Sequence, residues 1–144
     1  MKETRVPEGY HTITPYITLN GVQGLIKFLK DAFSAEEREV LTADDGRIIH
    51  AEIQIGDSII MMAEPTGDAD LVYGTFYMYV DDLEDVYSSA LKAGASSIKE
   101  PADQFYGDRN AAVKDAFGNA WWIAARYEDV SQEELQRRAK ESTD

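Results

Sequence analysis

Residues 74–94, GTFYMYVDDLEDVYSSALKAG, decide the fold, because they restart a pattern the chain has already run at 11–33, HTITPYITLNGVQGLIKFLKDAF. In the later stretch, 74–80 alternates as a strand, and Asp81 then caps a helix carrying Leu83, Val86, Tyr87, Ala90 and Leu91, which Gly94 ends. In the earlier stretch Ile13, Pro15, Ile17 and Leu19 alternate with Thr12, Thr14, Tyr16 and Thr18. This predicts a strand over 11–19 that Pro15 confines to an edge or a bulge. Asn20-Gly21 is a turn with Asn20 as the cap, and Val22, Leu25, Ile26, Leu29 and Phe33 make 21–33 an amphipathic helix. The two stretches superpose at a constant offset, with Thr14 on Thr75, Asn20 on Asp81, Val22 on Leu83 and Leu25 on Val86.

Reading outward, the first copy continues with strands at 36–42 and 47–55, joined by a hairpin at Asp45-Gly46. After a turn at Gly56-Asp57 comes a strand at 58–63, and then a Pro/Gly/acid-rich loop at 64–73. The second copy repeats the order with strands at 95–100, 109–115 and 120–125, Gly118 standing where Gly56 stood. The expected architecture is α+β. Two βαβββ modules, about 10–64 and 73–126, form a curved mixed sheet with helices on its outer side and a central cleft. Ser131 and Glu134 form a capping box that starts a short C-terminal helix at about 131–141.

A chain of 144 residues suits one such domain. Its 27 acidic against 14 basic residues give a net charge of −13, which disfavours nucleic acid and anionic membrane surfaces as partners. The absence of cysteine excludes disulfides, zinc–thiolate sites and cysteine nucleophiles. No apolar run is long enough to span a bilayer, MKETRVPEGY at the start lacks a signal-peptide core, and the expected location is cytoplasmic. Most of the net negative charge lies in DDLED at 81–85, in the loop through Glu64, Asp68 and Asp70, and in the tail from residue 127, where carboxylates serve solubility and helix capping.

The residues that can carry chemistry fall into two groups. His50, Glu52 and Gln54 alternate on one face of a strand, opposite Ala51, Ile53 and Ile55. A His–Glu pair there serves acid–base work or ligation, or simply bonds neighbouring strands. Tyr16, Tyr77, Tyr79 and Trp122 are expected on the cleft face, and Phe76, Met78 and Trp121 on the helix-packed face. Such rings either bind a planar ligand or fill the cleft and close it. In DQFYGDR at 103–109, Tyr106 can reach the cleft mouth, Gly107 fits a turn of positive φ, and Asp108 and Arg109 are expected to pair with each other or cap backbone groups. His11 is expected to be exposed. No phosphate-binding glycine loop, zinc-protease or serine-hydrolase motif occurs.

The duplicated module, with PEGYHTITPYI at 7–17, DGRIIHAEIQIGDSIIMMAE at 45–64, YVDDLEDVYSSALKAGA at 79–95 and KDAFGNAWWIA at 114–124, resembles the vicinal-oxygen-chelate superfamily of glyoxalases, bleomycin-resistance proteins and extradiol dioxygenases. That resemblance implies a divalent metal held by one side chain from the first and one from the last strand of each half, polarising two vicinal substrate oxygens. The slots fall on Thr14, Thr75, Trp122 and either Ile60 or Met62, none of which suits a hard divalent ion. Relatives also commonly carry histidine where this chain has Asn119 and Arg126. The expectation is therefore a protein without a metal or other cofactor that binds a small aromatic or amphipathic molecule, a cationic one by charge. Its ligand residues are Tyr16, His50, Glu52, Met62, Thr75, Tyr77, Tyr106 and Trp122. One alternative is a glyoxalase-like lyase or isomerase with a shifted metal site at His50, Glu52 and Glu64 and His50 and Glu52 as catalytic candidates; another is an interaction protein with a closed cleft. The resemblance also implies a homodimer.

Overall fold

A computed structural model describes residues 3–67 and 70–142, so Asp68 of the acidic loop and the final Asp144 lie outside the described residues. The chain divides into two compact units, one ending at Gly74 and the other beginning at Thr75. The first holds β1 (Tyr16–Thr18), α1 (Val22–Phe33), β2 (Glu36–Thr42), β3 (Ile48–Ile55) and β4 (Ser58–Ala63). The second holds β5 (Thr75–Tyr79), α2 (Leu83–Lys92), β6 (Ser96–Asp103), β7 (Asp108–Lys114), β8 (Ala120–Arg126) and α3 (Gln132–Ser142). Each unit has a four-stranded sheet, in the orders β1-β4-β3-β2 and β5-β8-β7-β6, with first and last strands parallel and the remaining pairs antiparallel. The duplication is thus a repeat of topology as well as of pattern.

In the first unit α1 buries Val22, Leu25, Ile26, Phe28, Leu29, Ala32 and Phe33, which meet Ile17, Ala51, Ile53 and Met62 in the core. Each large apolar side chain fully buried contributes roughly 1.5–3 kcal/mol. Three local expectations change. The first strand shrinks to three residues, and Ile13 stands 83% exposed, because backbone pairing with β4 begins only at Pro15, whose carbonyl accepts from Met61 N–H. Asn20 does not cap α1; Gly21 occupies that position with φ 84° and no side-chain bond. Asp82 rather than Asp81 caps α2, accepting from Asp85 N–H.

In the second unit the turn at 115–119 is built on one carboxylate. Asp115 is buried and accepts from the N–H groups of Phe117 (2.8 Å) and Asn119 (3.0 Å), from Asn119 Nδ2 (3.0 Å) and from Trp121 Nε1 (2.9 Å). Trp121 is thereby fixed in the core with Phe76 stacked on it at 4.4 Å. At the start of α3, Ser131 Oγ accepts from Glu134 N–H, while the Glu134 carboxylate accepts from Arg137 and Arg138.

The turn before β7 depends on Gly107, which has φ 98° and whose carbonyl accepts from the N–H groups of both Tyr127 and Glu128. A Cβ at this position would lie 2.0 Å from the Glu128 carbonyl oxygen. Gly107→Ala is expected to lose at least about 1–3 kcal/mol from the backbone conformation alone, with the clash adding to it. Denaturant unfolding that shows an unchanged midpoint would refute this.

Candidate functional site

The functional side chains lie on the sheet faces opposite the helices. In the second unit strand register places Tyr77 beside Trp122, Trp122 beside Ala112 and Ala112 beside Lys99, one row across all four strands. Tyr77 and Trp122 are near-parallel, at 16° with centroids 6.3 Å apart, and Lys99 Nζ lies 5.5 Å from the Trp122 ring centroid. Alanines at 112, 120 and 124 keep the floor between the rings low.

Beside this row, on the same face, runs a hydrogen-bond network. Asp108 is 2% exposed. Its Oδ1 accepts from Arg126 Nε at 2.6 Å, and its Oδ2 accepts from the hydroxyls of Tyr77 (2.7 Å) and Tyr79 (3.0 Å). Arg126 Nη2 also donates to the Tyr79 oxygen. The fully buried Asn110 donates to the Tyr77 and Tyr106 oxygens at 3.1 and 2.7 Å and accepts from Lys99 Nζ at 3.1 Å. Burial pushes the Asp108 carboxyl upward, but the bonds from Arg126 and the two tyrosines outweigh it, and the group sits below its ordinary range. Burial first, and the bond to Asp108 with it, raises the Tyr77 and Tyr79 phenols, so both stay protonated donors.

In the first unit the matching row is Tyr16, Met61, Glu52 and Glu39. His50 Nε2 and Glu52 Oε2 are 2.9 Å apart, and the Tyr16 ring lies 5.8 Å from the His50 ring. Ligand atoms of Glu39, His50 and Glu52 all lie within 4.8 Å of one another.

The structure therefore joins Tyr16, His50 and Glu52 in one unit, and Tyr77, Tyr106 and Trp122 in the other. Thr75 is exposed on β5, one row along from Tyr77. Met62 is misplaced: it is fully buried on the helix side, and Met61 shares the face of Tyr16. The step from Tyr16 to Tyr77 equals that from Met61 to Trp122, so the last-strand slot is Met61, not Ile60 or Met62. Glu64 stands outside the acidic cluster, its carboxylate accepting from Ile48 N–H. Asp108 and Arg109 do not pair, because strand neighbours point to opposite faces; Arg109 bonds Glu84 and Asp103 instead. In neither unit do the expected metal slots, Thr14 and Met61 in the first and Thr75 and Trp122 in the second, offer donors that suit a hard divalent ion. Sequence reasoning missed Asp108 and Asn110 as partners of Tyr77, although D-R-N at 108–110 places both on one face; it took Arg126 only as the place of a histidine in relatives, and it missed Glu39 and Lys99 altogether.

The sequence profile of the Glyoxalase/Bleomycin resistance protein/Dioxygenase superfamily matches residues 11–123. An uncharacterized protein of Mycobacterium bovis is 27% identical over 138 aligned residues, covering 86% of this chain and 89% of that one. Among solved structures, TioX from Micromonospora sp. ML1 aligns with a TM-score of 0.66 at 17% identity, over 84% of this chain and 100% of that one. The fosfomycin resistance protein FosX from Mesorhizobium loti aligns at 0.58 and 14% identity, over 88% and 97%. These structural likenesses show the fold.

The depressed Asp108 carboxyl sets a pH dependence. Because its folded value is lowered, its contribution to stability is present above the unfolded value, near 4, and is lost as pH falls through the folded one. Asp108→Asn is expected to cost about 1–3 kcal/mol at neutral pH. The gap to the unsubstituted protein should narrow as pH drops below about 4. Urea unfolding across a pH series reads this out, and a gap that does not change with pH contradicts it.

Proposed function

The chain belongs to the glyoxalase/bleomycin-resistance/dioxygenase superfamily, and on that premise we propose that it binds a small planar aromatic molecule on the open face of its second sheet. The observation that carries this reading is the Tyr77–Trp122 pair, two near-parallel rings from adjacent strands bordered by alanines. Tyr77 and Tyr79 remain 43% and 57% exposed although their hydroxyls are tied down. Rings held rigid yet left uncovered offer apolar area, worth roughly 25 cal/mol per Å² when a ligand covers it, with little ordering left to be done. The side chains at the expected metal slots support a binding role over the superfamily's metal chemistry.

A second reading is favoured by one observation, the convergence of Glu39, His50 and Glu52. On that reading the protein is a lyase or isomerase with a divalent ion shifted onto β2 and β3, Glu39 taking the place expected for Glu64. A homodimer is proposed from the resemblance alone, with sedimentation as its check.

A thermal-shift series with naphthalene and indole derivatives tests the binding reading. A ligand at a hundredfold excess over its Kd stabilises the native state by roughly 2.7 kcal/mol. At least one compound is expected to raise Tm and to lose its effect in Trp122→Ala. No shift with any compound, or a shift that survives Trp122→Ala, overturns the proposal. One equivalent of divalent metal in untagged protein, lost in His50→Ala, replaces it with the second reading.

A further inference from the structure

Lys99 is the part-buried cation of the open face of the second sheet, and among the described residues it pairs with no carboxylate. Among the described residues its ammonium donates to the neutral Asn110 Oδ1. An ammonium has three donors, so two remain for a ligand. The carboxylate of the adjoining network, Asp108, is already engaged by Arg126 and two tyrosine hydroxyls, so it is not available to neutralise Lys99.

The backbone is arranged to put this charge there. Ser97 pairs with Val113, but the next pair is Lys99 with Ala112, so Ile98 is the extra residue of a bulge. Without the bulge Ile98 would face Ala112 and extend the apolar row. With it, Ile98 is left 53% exposed and Lys99 takes the row. A second register shift follows between Lys99 and Ala102, a span that holds Pro101, on an edge strand where proline is tolerated. The small side chain of Ala112 leaves the space through which Nζ reaches the Trp122 ring. Lys114, exposed one row away, also has no ion pair among the described residues.

The overall charge of −13 does not cancel this. At physiological ionic strength the field of exposed charges is screened over about 8 Å, so a ligand seated on Trp122 responds to the groups beside it. We infer that the molecule bound on this face carries an anionic group, as an aromatic carboxylate does, and that Lys99 selects it. This rests on the binding reading above and adds the charge class of the ligand.

Three probes of one shape, naphthalene-2-carboxylate, naphthalene-2-carboxamide and 2-naphthylmethylammonium, are titrated calorimetrically into the full chain and into Lys99→Met and Lys99→Arg. The carboxylate is expected to bind about tenfold or more tighter than the carboxamide, as a charge-assisted bond requires. In Lys99→Met that ratio should fall to near one with the carboxamide unchanged, and in Lys99→Arg it should persist. Thermal unfolding verifies that both variants fold. If the carboxamide binds but the ratio is near one, or survives Lys99→Met, the inference fails and the binding reading stands. Tighter binding of the ammonium overturns it as well. If none of the three binds, both fail.

Discussion

The open face of the second sheet is organised by one buried carboxylate. Asp108, on β7, receives hydrogen bonds from Arg126 on β8 and from Tyr77 and Tyr79 on β5. Burying an ion costs several kcal/mol unless its lone pairs are filled, and here three donors from two other strands fill them. The arrangement constrains the side chains as strongly as it satisfies the charge. Each tyrosine is fixed at its hydroxyl, so Tyr77 is held beside Trp122, and Tyr79 edge-on to Tyr77, without being covered. The same pairing makes the Asp108–Arg126 unit electrically neutral, which leaves Lys99 as the unpaired part-buried charge of that row. Removing Asp108 would therefore disturb ring orientation and local potential together, well beyond the loss of a single bond.

The two modules show one scaffold carrying opposite chemistry. The first presents Tyr16, Met61, Glu52 and Glu39 in a row, and the second presents Tyr77, Trp122, Ala112 and Lys99 in the equivalent row. In each, a bulge just before the last residue shifts the edge strand by one position, with Arg38 extra in β2 and Ile98 extra in β6. In the first module the bulge moves an arginine out of the row and a glutamate in. Arg38 then bonds Gln54 and the Glu8 carbonyl, and Glu39 faces Glu52. In the second it moves an isoleucine out and a lysine in. Duplication preserved the backbone irregularity while the residues delivered by it diverged from anionic to cationic.

This explains which parts of the molecule were legible in the sequence. The helices and most strands follow from apolar periodicity, which survives as long as the backbone is regular, and the helix over 21–33 matches α1 to within a residue. Tyr77, Tyr79 and Trp122 were legible for the same reason, since β5 and β8 pair without a register shift. Alternation fails past a bulge, because one added residue exchanges the two faces, and Glu39 and Lys99 both lie just past one. Ile60 was offered as a slot through the turns, and Met62 lies one residue off on the other side of Met61. Gly56 and Gly118 look equivalent, but the Asp115–Asn119 turn is built differently from Gly56-Asp57, and the one-residue error moved the slot to the buried face.

Net charge misleads for a related reason. The sum of −13 is a property of the whole surface, and by itself it suggests a cationic ligand. Much of that acid stands where carboxylates meet water or a helix start: Glu84 and Asp85 lie in the first turn of α2, and Glu133 and Glu134 in that of α3. A binding face responds most to the groups beside it, and beside Trp122 stands Lys99, bonded to Asn110, with the neutralised Asp108–Arg126 pair on the same sheet. The overall acidity belongs to the whole surface, while the local cation decides what a small molecule encounters on the rings. Specificity here is therefore set by one backbone irregularity in an edge strand, which determines whether position 98 or position 99 faces the aromatic row.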